Sequence, residues 1–394
     1  MPIKRVGQER NIPVLFMIIL LSSLSVNLVS PIWPLYISSM GASKVELGYI
    51  LAVPNAIAAF MNIPGGTASD RYGRRRLNAI GTFLGVFPPL FYILASNWVD
   101  LIPWVVVTGL STGLYMPIRW TIIADSTRDE SRAMTYSWMN IAFLLGSTVA
   151  PFLGGLIADS FGIHSTFILY FVLMASCFVF SLLLKETRMP SSQRKDQSVD
   201  EVGSKGLLSI LLIFSVLNIT QAIGMGIYGP ITPGFVEERF SAGYTDVGIL
   251  YAVGFGLSSM VVQIPGAKLA TRYDRKKIVL LTIIASAPFF GLFGSSRSFP
   301  ECVILMFLSN AILNVSWPAY QDLMMALTPP ARRGLMNGLA STCFLGGMTI
   351  GSAMSGVLWE RCGMFFPYYL SAAMVLLSVL PIFFVREAGG KAQP

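Results

Sequence analysis

Charged residues are scarce in this sequence. Asp, Glu, Lys and Arg make up 12% of its 394 residues, whereas about a quarter is usual in soluble globular domains. Apolar runs of about 20 residues recur along the whole chain instead, and a run of this length allows an α-helix to cross a bilayer. The sequence therefore predicts an all-α protein for which the membrane is the solvent.

Histidine and cysteine are also too rare for much of the chemistry that proteins perform. His164 is the only histidine, and the four cysteines are scattered without a CxxC pair. These counts exclude a histidine-based metal site or catalytic triad and give no sign of a zinc site or a disulfide framework. The sequence contains no nucleotide-binding loop either, so we expect no enzyme, no primary pump, no cofactor and no bound metal.

Twelve apolar runs, separated by polar breaks, predict twelve membrane spans. They lie at roughly 12–36, 45–64, 78–96, 101–124, 135–157, 163–184, 207–233, 245–265, 278–296, 301–326, 335–358 and 364–385. The longest polar stretch, "KETRMPSSQRKDQSVDEVGSK", separates the sixth run from the seventh. This pattern predicts an N-terminal bundle of six helices at 1–184, a cytoplasmic linker at 185–206 and a C-terminal bundle of six helices at 207–394.

Basic residues are distributed unevenly between the two sides of these spans. If the N-terminus is cytoplasmic, only Lys44, Arg239, Arg297 and Arg361 lie on the outer side, and Arg119 lies inside a span. By the positive-inside rule both termini are then cytoplasmic, as expected of a multi-pass protein of the cell membrane. The formal charge of +8 is therefore a topology signal and does not indicate a nucleic-acid partner.

The two halves of the chain repeat each other. "PGGTASDRYGRRR" (64–76) and "PGAKLATRYDRKK" (265–277) align without gaps at an offset of 201 residues. The same offset places "APFLGGLIADSFG" (150–162) on "GSAMSGVLWERCG" (351–363). Six spans, a linker and six further spans in the same orientation indicate a parallel duplication.

These features together resemble the major facilitator superfamily. The loop between its second and third helices reads approximately G-x-x-x-D-R-x-G-R-R, and this sequence matches every defined position. The matching residues are Gly66, Asp70, Arg71, Gly73, Arg74 and Arg75. The resemblance implies the major facilitator fold, in which two pseudo-symmetric six-helix bundles enclose a cavity lined by helices 1, 4, 7 and 10, and in which rocking of the bundles transports the substrate.

Asp70 in this loop motif is expected to act as a latch. A carboxylate at the membrane edge could sit at the positive N-terminal end of the eleventh helix and pair with Arg132. These contacts would hold the two halves together while the cavity is open to the outside. The second copy of the motif has Thr271 in place of the aspartate and would keep its role in topology but lose most of the latch. The alternative is that the arginines of the loop only fix topology.

The fifth span carries a stripe of small residues around a proline. The stripe consists of Gly146, Ala150, Pro151, Gly154 and Gly155. Small side chains let helices approach closely, and a proline kinks its helix. The segment resembles the fifth-helix signature of the superfamily's drug–proton antiporters, and generic helix packing is the alternative. The sequence departs from those antiporters at Val105, where they have an arginine.

Two charged residues lie within predicted spans. Asp322 precedes the loop after the tenth span by about ten residues, which at about 1.5 Å per residue places it about 15 Å deep, near the midplane. Arg119 lies in the cytoplasmic half of the fourth span. Because a charge in hydrocarbon is costly, we expect either that Asp322 couples transport to protons or that the two residues form a salt bridge that holds the halves together.

Polar and aromatic side chains cluster on the spans that are expected to line the cavity. Besides Asp322 and Arg119, the candidates are Asn27, Tyr36, Tyr115, Trp120, Gln221, Tyr228, Asn314, Trp317, Tyr320 and Gln321. Aromatic surfaces with a few amides suit amphipathic ligands of variable shape.

The sequence therefore predicts a monomeric secondary transporter that exports small lipophilic or amphipathic compounds in exchange for protons. One alternative is uptake or exchange of a specific metabolite such as a sugar or an organic anion, with Arg119 as the partner of the anion. The other is a membrane receptor or scaffold that transports nothing.

Overall fold

The computed structural model describes residues 10–127, 131–187, 204–329 and 332–385. Within these ranges the regular elements are helices, and twelve of them are long and apolar enough to cross a membrane, as the sequence predicts. We number these membrane helices α1 to α12. Most of the predicted linker, residues 188–203, lies outside the described ranges.

The N-terminal half contains the first six membrane helices. They are α1 Asn11–Ser39, α2 Lys44–Tyr72, α3 Arg74–Leu94, α4 Trp98–Ser126, α5 Met134–Phe161 and α6 Ile163–Leu182. Within this half α1 packs against α5 and α6, and α4 packs between α2 and α3.

The C-terminal half contains the other six. They are α7 Leu208–Phe240, α8 Tyr244–Arg272, α9 Arg275–Gly294, α10 Phe299–Leu327, α11 Arg333–Cys362 and α12 Phe366–Phe383. The packing repeats that of the first half, because α7 lies against α11 and α12, and α10 lies between α8 and α9.

Each half has its own apolar core, and the two cores are built alike. In the first half Tyr36 of α1 packs on Phe167 of α6, with ring centroids 4.9 Å apart. In the second half Phe235 of α7 packs on Tyr368 of α12, also at 4.9 Å. Phe167 and Tyr368 are separated by the offset of 201 residues that relates the two halves of the sequence. The duplicated sequence therefore folds into two pseudo-symmetric six-helix bundles.

The two halves touch along two pairs of helices, α2 with α11 and α5 with α8. Glycines at these contacts bring the backbones together. A Cβ atom on Gly48 of α2 would lie only 2.6 Å from the carbonyl oxygen of Ser352 of α11, and one on Gly256 of α8 would lie 2.5 Å from that of Ser147 of α5. The bundles are thus held at backbone-to-backbone distance, as small residues allow in membrane proteins.

A one-residue insertion distinguishes α8 from α2. Near the start of these helices Glu46 corresponds to Asp246, an offset of 200 residues, whereas further along Pro64 corresponds to Pro265, an offset of 201. Between these points α8 contains the π-helical turn Ala252–Leu257. A π turn accommodates one extra residue in a helix. The loop motifs that follow therefore keep the same orientation in both halves.

Candidate functional site

The ends of the membrane helices define two faces of the molecule. We call the end at which α6 stops and α7 starts the linker face, and the other end the opposite face. A pathway between the two halves has to be judged from how the halves meet at each face.

Two carboxylates join the halves at the opposite face. Asp159, near the end of α5, accepts hydrogen bonds from the backbone N–H groups of Tyr244 at 3.3 Å and Thr245 at 2.7 Å, in the first turn of α8. Glu360, near the end of α11, accepts one from the backbone N–H of Val45 in the first turn of α2, at 3.2 Å. A carboxylate is stabilised at a helix N-terminus by the free N–H groups and the helix dipole. We call these two contacts the crossed caps.

Further contacts reinforce the crossed caps. Lys44 Nζ lies 2.7 Å from Glu238 Oε1 of α7 and 5.2 Å from the ring centroid of Trp359 of α11. Gly155 and Gly356 lie against the backbones of Tyr244 and Lys44, and neither position has room for a Cβ atom. The opposite face is therefore closed.

Towards the linker face the contact between α2 and α11 includes a side-chain hydrogen bond. Asn62 Nδ2 of α2 donates to Ser341 Oγ of α11 at 3.3 Å. Nearer the linker face, a Cβ atom on Gly66 of α2, or on Gly334 or Gly338 of α11, would meet no atom of the described chain within 4 Å. The structure is therefore in a conformation that is closed at the opposite face, and these three positions of α2 and α11 make no close contact at the linker face.

The loop motif forms a charge network inside the N-terminal half. Arg74 Nη2 lies 3.4 Å from Asp70 Oδ1, and Nη1 pairs with Asp125 at the end of α4. The backbone N–H groups of Arg74 and Arg75 donate to the Glu186 carboxylate at 3.0 and 3.3 Å. The network ties α2, α3, α4 and the end of α6 together.

Among the described residues Asp70 pairs with Arg74, and the side chain of Arg132 lies outside the described part of the chain. Because the latch was predicted for the conformation that is open at the other face, it stays a prediction. Arg71 packs its guanidinium carbon 5.5 Å from the ring centroid of Tyr72.

Gly73 has a specific structural role in the motif. Its φ angle is +101°, which side chains other than glycine rarely adopt, and a Cβ atom there would lie 2.6 Å from Glu186 Oε2. At the equivalent position of the second half, Asp274 has φ −56° and accepts a hydrogen bond from the backbone N–H of Lys277 at 2.9 Å. In the second half, Asp274 therefore caps the N-terminus of α9 from within the turn itself. In the first half, the N-terminus of α3 is capped by Glu186, which follows the end of α6.

The expectation that Arg119 pairs with Asp322 is wrong for this conformation. Arg119 is 3% exposed and points into its own half. Nε donates to Asn78 Oδ1 at 3.2 Å, Nη1 to Ser22 Oγ at 2.8 Å and Nη2 to Thr82 Oγ1 at 3.2 Å. Its guanidinium also lies 3.9 Å from the Tyr115 ring centroid. Arg119 therefore binds α1, α3 and α4 to one another, and in this conformation its donors are turned away from the space between the halves.

Asp322 is shallower than predicted. The Pro329–Pro330 pair prevents α10 from continuing, so the helix ends at Leu327, five residues after Asp322. Asp322 Oδ2 accepts from Nε of Arg275, the first residue of α9, at 2.8 Å, and its side chain is 54% exposed. The carboxylate lies at the level of a helix end, not at the midplane.

The other described carboxylates of the membrane helices lie nearer still to a helix end than Asp322 does. The sequence suggested that a carboxylate at the midplane, Asp322, couples transport to protons. The described part of the chain contains no carboxylate at that depth.

The small-residue stripe of α5 contacts two helices. Gly146 and Gly154 lie against the backbone of α1 at Leu24 and Leu28, and Ala150 between them is fully buried. On the next face of α5, Pro151 and Gly155 lie against the start of α8. The stripe therefore packs one bundle internally and also carries the contact between the halves.

Four of the predicted cavity residues face the interior of their own half. Tyr36, Tyr115, Tyr228 and Tyr320 are at most 7% exposed, because their rings pack in the two apolar cores. Tyr36 donates its hydroxyl to the backbone of Tyr92 at 2.6 Å. The expectation that these tyrosines line the cavity is not met in this conformation. Burying the large aromatic ring in the core of a bundle is more favourable than exposing its single hydroxyl group to the cavity.

The remaining cavity candidates are more accessible. Trp120 and Trp317 are 42% and 56% exposed. Asn27, Gln221, Asn314 and Gln321 are half-buried. Asn314 Nδ2 donates to Ser259 Oγ at 3.2 Å, just beyond the π turn of α8. Met116 is 42% exposed one helical turn before Trp120, and the sequence analysis missed it because methionine has no polar group to attract notice.

The sequence analysis also missed the crossed caps. Asp159 and Glu360 stand at equivalent positions of the aligned segments 150–162 and 351–363, so the alignment contained the signal. Their partners are backbone N–H groups, which have no sequence signature.

The whole chain matches one protein family. The model of the Major Facilitator Superfamily matches residues 15–222 and 214–394. An MFS-type transporter of Methanocaldococcus jannaschii is 24% identical over 92% of this chain and 95% of its own length. Multidrug resistance protein 2 of Bacillus subtilis is 21% identical over 95% of both chains. The inward open xylose transporter XylE from E. coli has the same fold, with a TM-score of 0.75 and 16% identity over 97% of both chains.

Proposed function

The chain belongs to the Major Facilitator Superfamily and is a membrane transporter rather than an enzyme, and from this premise we propose that it exports small lipophilic or amphipathic compounds by alternating access. The observation that carries the proposal is the asymmetry between the two faces. The halves are joined by the crossed caps at the opposite face, while Gly66, Gly334 and Gly338 make no close contact at the linker face. Rocking the halves about the α2–α11 and α5–α8 contacts would exchange the open and closed faces.

The accessible side chains on the helices that are expected to line the cavity favour an amphipathic substrate. Met116 and Trp120 expose flexible and aromatic apolar surface on one side of α4, and half-buried amides such as Asn27 and Asn314 add a few hydrogen-bonding groups. Such surfaces adapt to ligands of different shapes. The relatedness to Multidrug resistance protein 2 of Bacillus subtilis along 95% of the chain supports the same substrate class.

We propose protons as the coupling ion and place their binding at the gates. The carboxylates of the membrane helices lie near the helix ends, and several of them make contacts that alternating access must break. Asp159 accepts two backbone N–H groups across the closed opposite face. Opening the opposite face would break both hydrogen bonds and leave the carboxylate without these two donors.

Membrane sidedness follows from the basic residues of the loops. We propose that the linker face is cytoplasmic, that both termini lie on that side of the cell membrane, and that the protein works as a monomer with bundles at 1–184 and 207–394. The captured conformation would then be open to the cytoplasm, ready to accept a compound for export.

Uptake of an organic anion loses its main support from the contacts of Arg119. The donors of this guanidinium are directed to Asn78, Ser22 and Thr82 within the N-terminal half. An anion in the space between the halves would meet none of them in this conformation.

The test is transport in inverted vesicles with an imposed pH gradient and a panel of lipophilic dyes, sugars and organic anions. We expect dyes to accumulate when the lumen is acidic and the accumulation to collapse when a protonophore is added. Gradient-driven movement of sugars or anions without dyes would instead identify a metabolite transporter. A folded protein that moves none of the panel would favour a receptor or scaffold.

A further inference from the structure

We propose that a groove between α3 and α6 at the linker face binds the headgroup of an anionic phospholipid. The groove has a volume of about 590 Å³. Its lining includes Tyr72, Arg75, Arg76, Ala79, Leu182 and Glu186. A cavity of this size is in the range of small-molecule sites in proteins.

Two arginines give the groove a positive charge. The side chains of Arg75 and Arg76 are exposed. Arg75 Nη2 donates to the carbonyl oxygen of Leu182 at 2.8 Å, which holds the guanidinium at the groove and uses one of its five N–H donors. The one carboxylate among the lining residues, Glu186, accepts from the backbone N–H groups at the start of α3, which offset part of its charge. A planar guanidinium binds phosphate oxygens in a bidentate manner.

The surface below the groove suits acyl chains. Ile80 and Phe83 of α3 are 49% and 44% exposed, and they follow Arg76 at intervals of four and seven residues on the same side of the helix. Val179 on the neighbouring α6 and Leu183 directly after this helix are 57% and 60% exposed. In a protein with twelve membrane helices, such apolar side chains on outer helices face lipid. A phospholipid lying against them would place its phosphate beside the arginines, at the level where the helices leave the hydrocarbon.

The second half provides a matched control. Lys276, which is equivalent to Arg75, donates to the carbonyl oxygens of Phe383 and Val385 at 3.2 and 2.7 Å and thus repeats the contact with the end of the last helix. Lys277 is equivalent to Arg76. A lysine ammonium is a compact point charge and lacks the fork that binds phosphate in two places.

The experiment is native mass spectrometry of the full chain, released from nanodiscs that contain equal amounts of phosphatidylglycerol and phosphatidylcholine. We expect the wild-type protein to retain phosphatidylglycerol in preference. Arg76→Gln should lower this preference about fivefold, since one basic residue near a membrane surface contributes about that factor. Arg75→Gln with Arg76→Gln should abolish it, and Lys277→Gln should leave it unchanged.

Retention of the two lipids in equal amounts by the wild type would overturn the proposal. So would an equal loss of preference in Arg76→Gln and Lys277→Gln, because that result would indicate general surface charge. Displacement of phosphatidylglycerol by inorganic phosphate at millimolar concentration would also overturn it in favour of a site for soluble anions. Arg76 is exposed, so its single substitution keeps the test valid if the double variant does not fold.

Discussion

Asp159 and Glu360 occupy equivalent positions in the two halves, and each caps a helix of the other half. Asp159 accepts from Thr245 N–H at 2.7 Å and Glu360 from Val45 N–H at 3.2 Å. The duplication therefore produced a pair of reciprocal contacts across the interface. Because both contacts bridge the two halves at the opposite face, opening of that face would break them, and we expect them to stabilise the closed conformation.

Removal of the crossed caps should open the opposite face. Asp159→Ala and Glu360→Ala should each shift the equilibrium towards the open face by about fivefold, because a helix cap contributes about 1 kcal/mol. The measurement is the distance distribution between spin labels at His164 and Ser298, which lie in different halves at this face. Asp100→Ala is the control, since Asp100 accepts from Ser96 and Asn97 in its own half at 3.1 Å. A shift in the control as large as that in Asp159→Ala would contradict the assignment.

Asp70→Asn should slow transport without weakening substrate binding. The lost charge-assisted bonds contribute about 1.5 kcal/mol or more each, so the rate in vesicles should fall by at least about tenfold. Thr271→Ala is the matched control, because the Thr271 hydroxyl donates only within its own helix, to Lys268 at 2.9 Å. If both variants lost transport equally, the two loop motifs would be functionally equivalent and the predicted asymmetry would be wrong.

Two glycine substitutions should separate folding from gating. Gly154→Leu places a side chain into the backbone of Leu28, so the protein should fail to fold or should melt at a much lower temperature. Gly338→Leu fills open space at the linker face and should fold normally. It should nevertheless lose transport, because the leucine would obstruct closure of α2 on α11. Melting curves and vesicle transport distinguish the two, and normal transport by Gly338→Leu would show that these helices never approach there.

Arg119 and Asp322 should be energetically independent. Arg119→Gln removes a buried guanidinium with three hydroxyl or amide partners and should destabilise the protein by about 3 kcal/mol. Asp322→Asn breaks an exposed pair with Arg275 and should cost less than about 1 kcal/mol. The double variant should show additive effects within about 0.5 kcal/mol in thermal unfolding. If the double variant were more stable than Arg119→Gln alone, a salt bridge between Arg119 and Asp322 would be the better interpretation.

The sequence predicted the helices and their duplication because both depend on local patterns. Apolar runs long enough to span a bilayer and a loop motif repeated at one offset leave few alternative folds for a chain of this length. The stripe of α5 was predictable for the same reason, since Gly146 and Gly154 recur at the spacing of one helix face.

Depth and partner choice could not be predicted in this way. The estimate for Asp322 counted ten residues to the basic loop, whereas only five residues separate it from the end of α10 at Leu327. Arg119 was expected to seek a carboxylate, but neutral acceptors from two neighbouring helices and an aromatic ring surround it instead. Both errors have the same cause. The partners of a charged side chain depend on the direction in which it points from its helix and on its distance from the helix end, and residue type reveals neither.

The position of Lys44 over Trp359 gives the protein an intrinsic optical probe. The ammonium lies 5.2 Å from the indole centroid, and Trp359 is 9% exposed at the closed opposite face. When α2 moves away from α11, the ring loses its cation and becomes hydrated. The chain has seven tryptophans, so replacing the other six by phenylalanine would leave a single fluorophore whose emission shifts to longer wavelength each time this face opens.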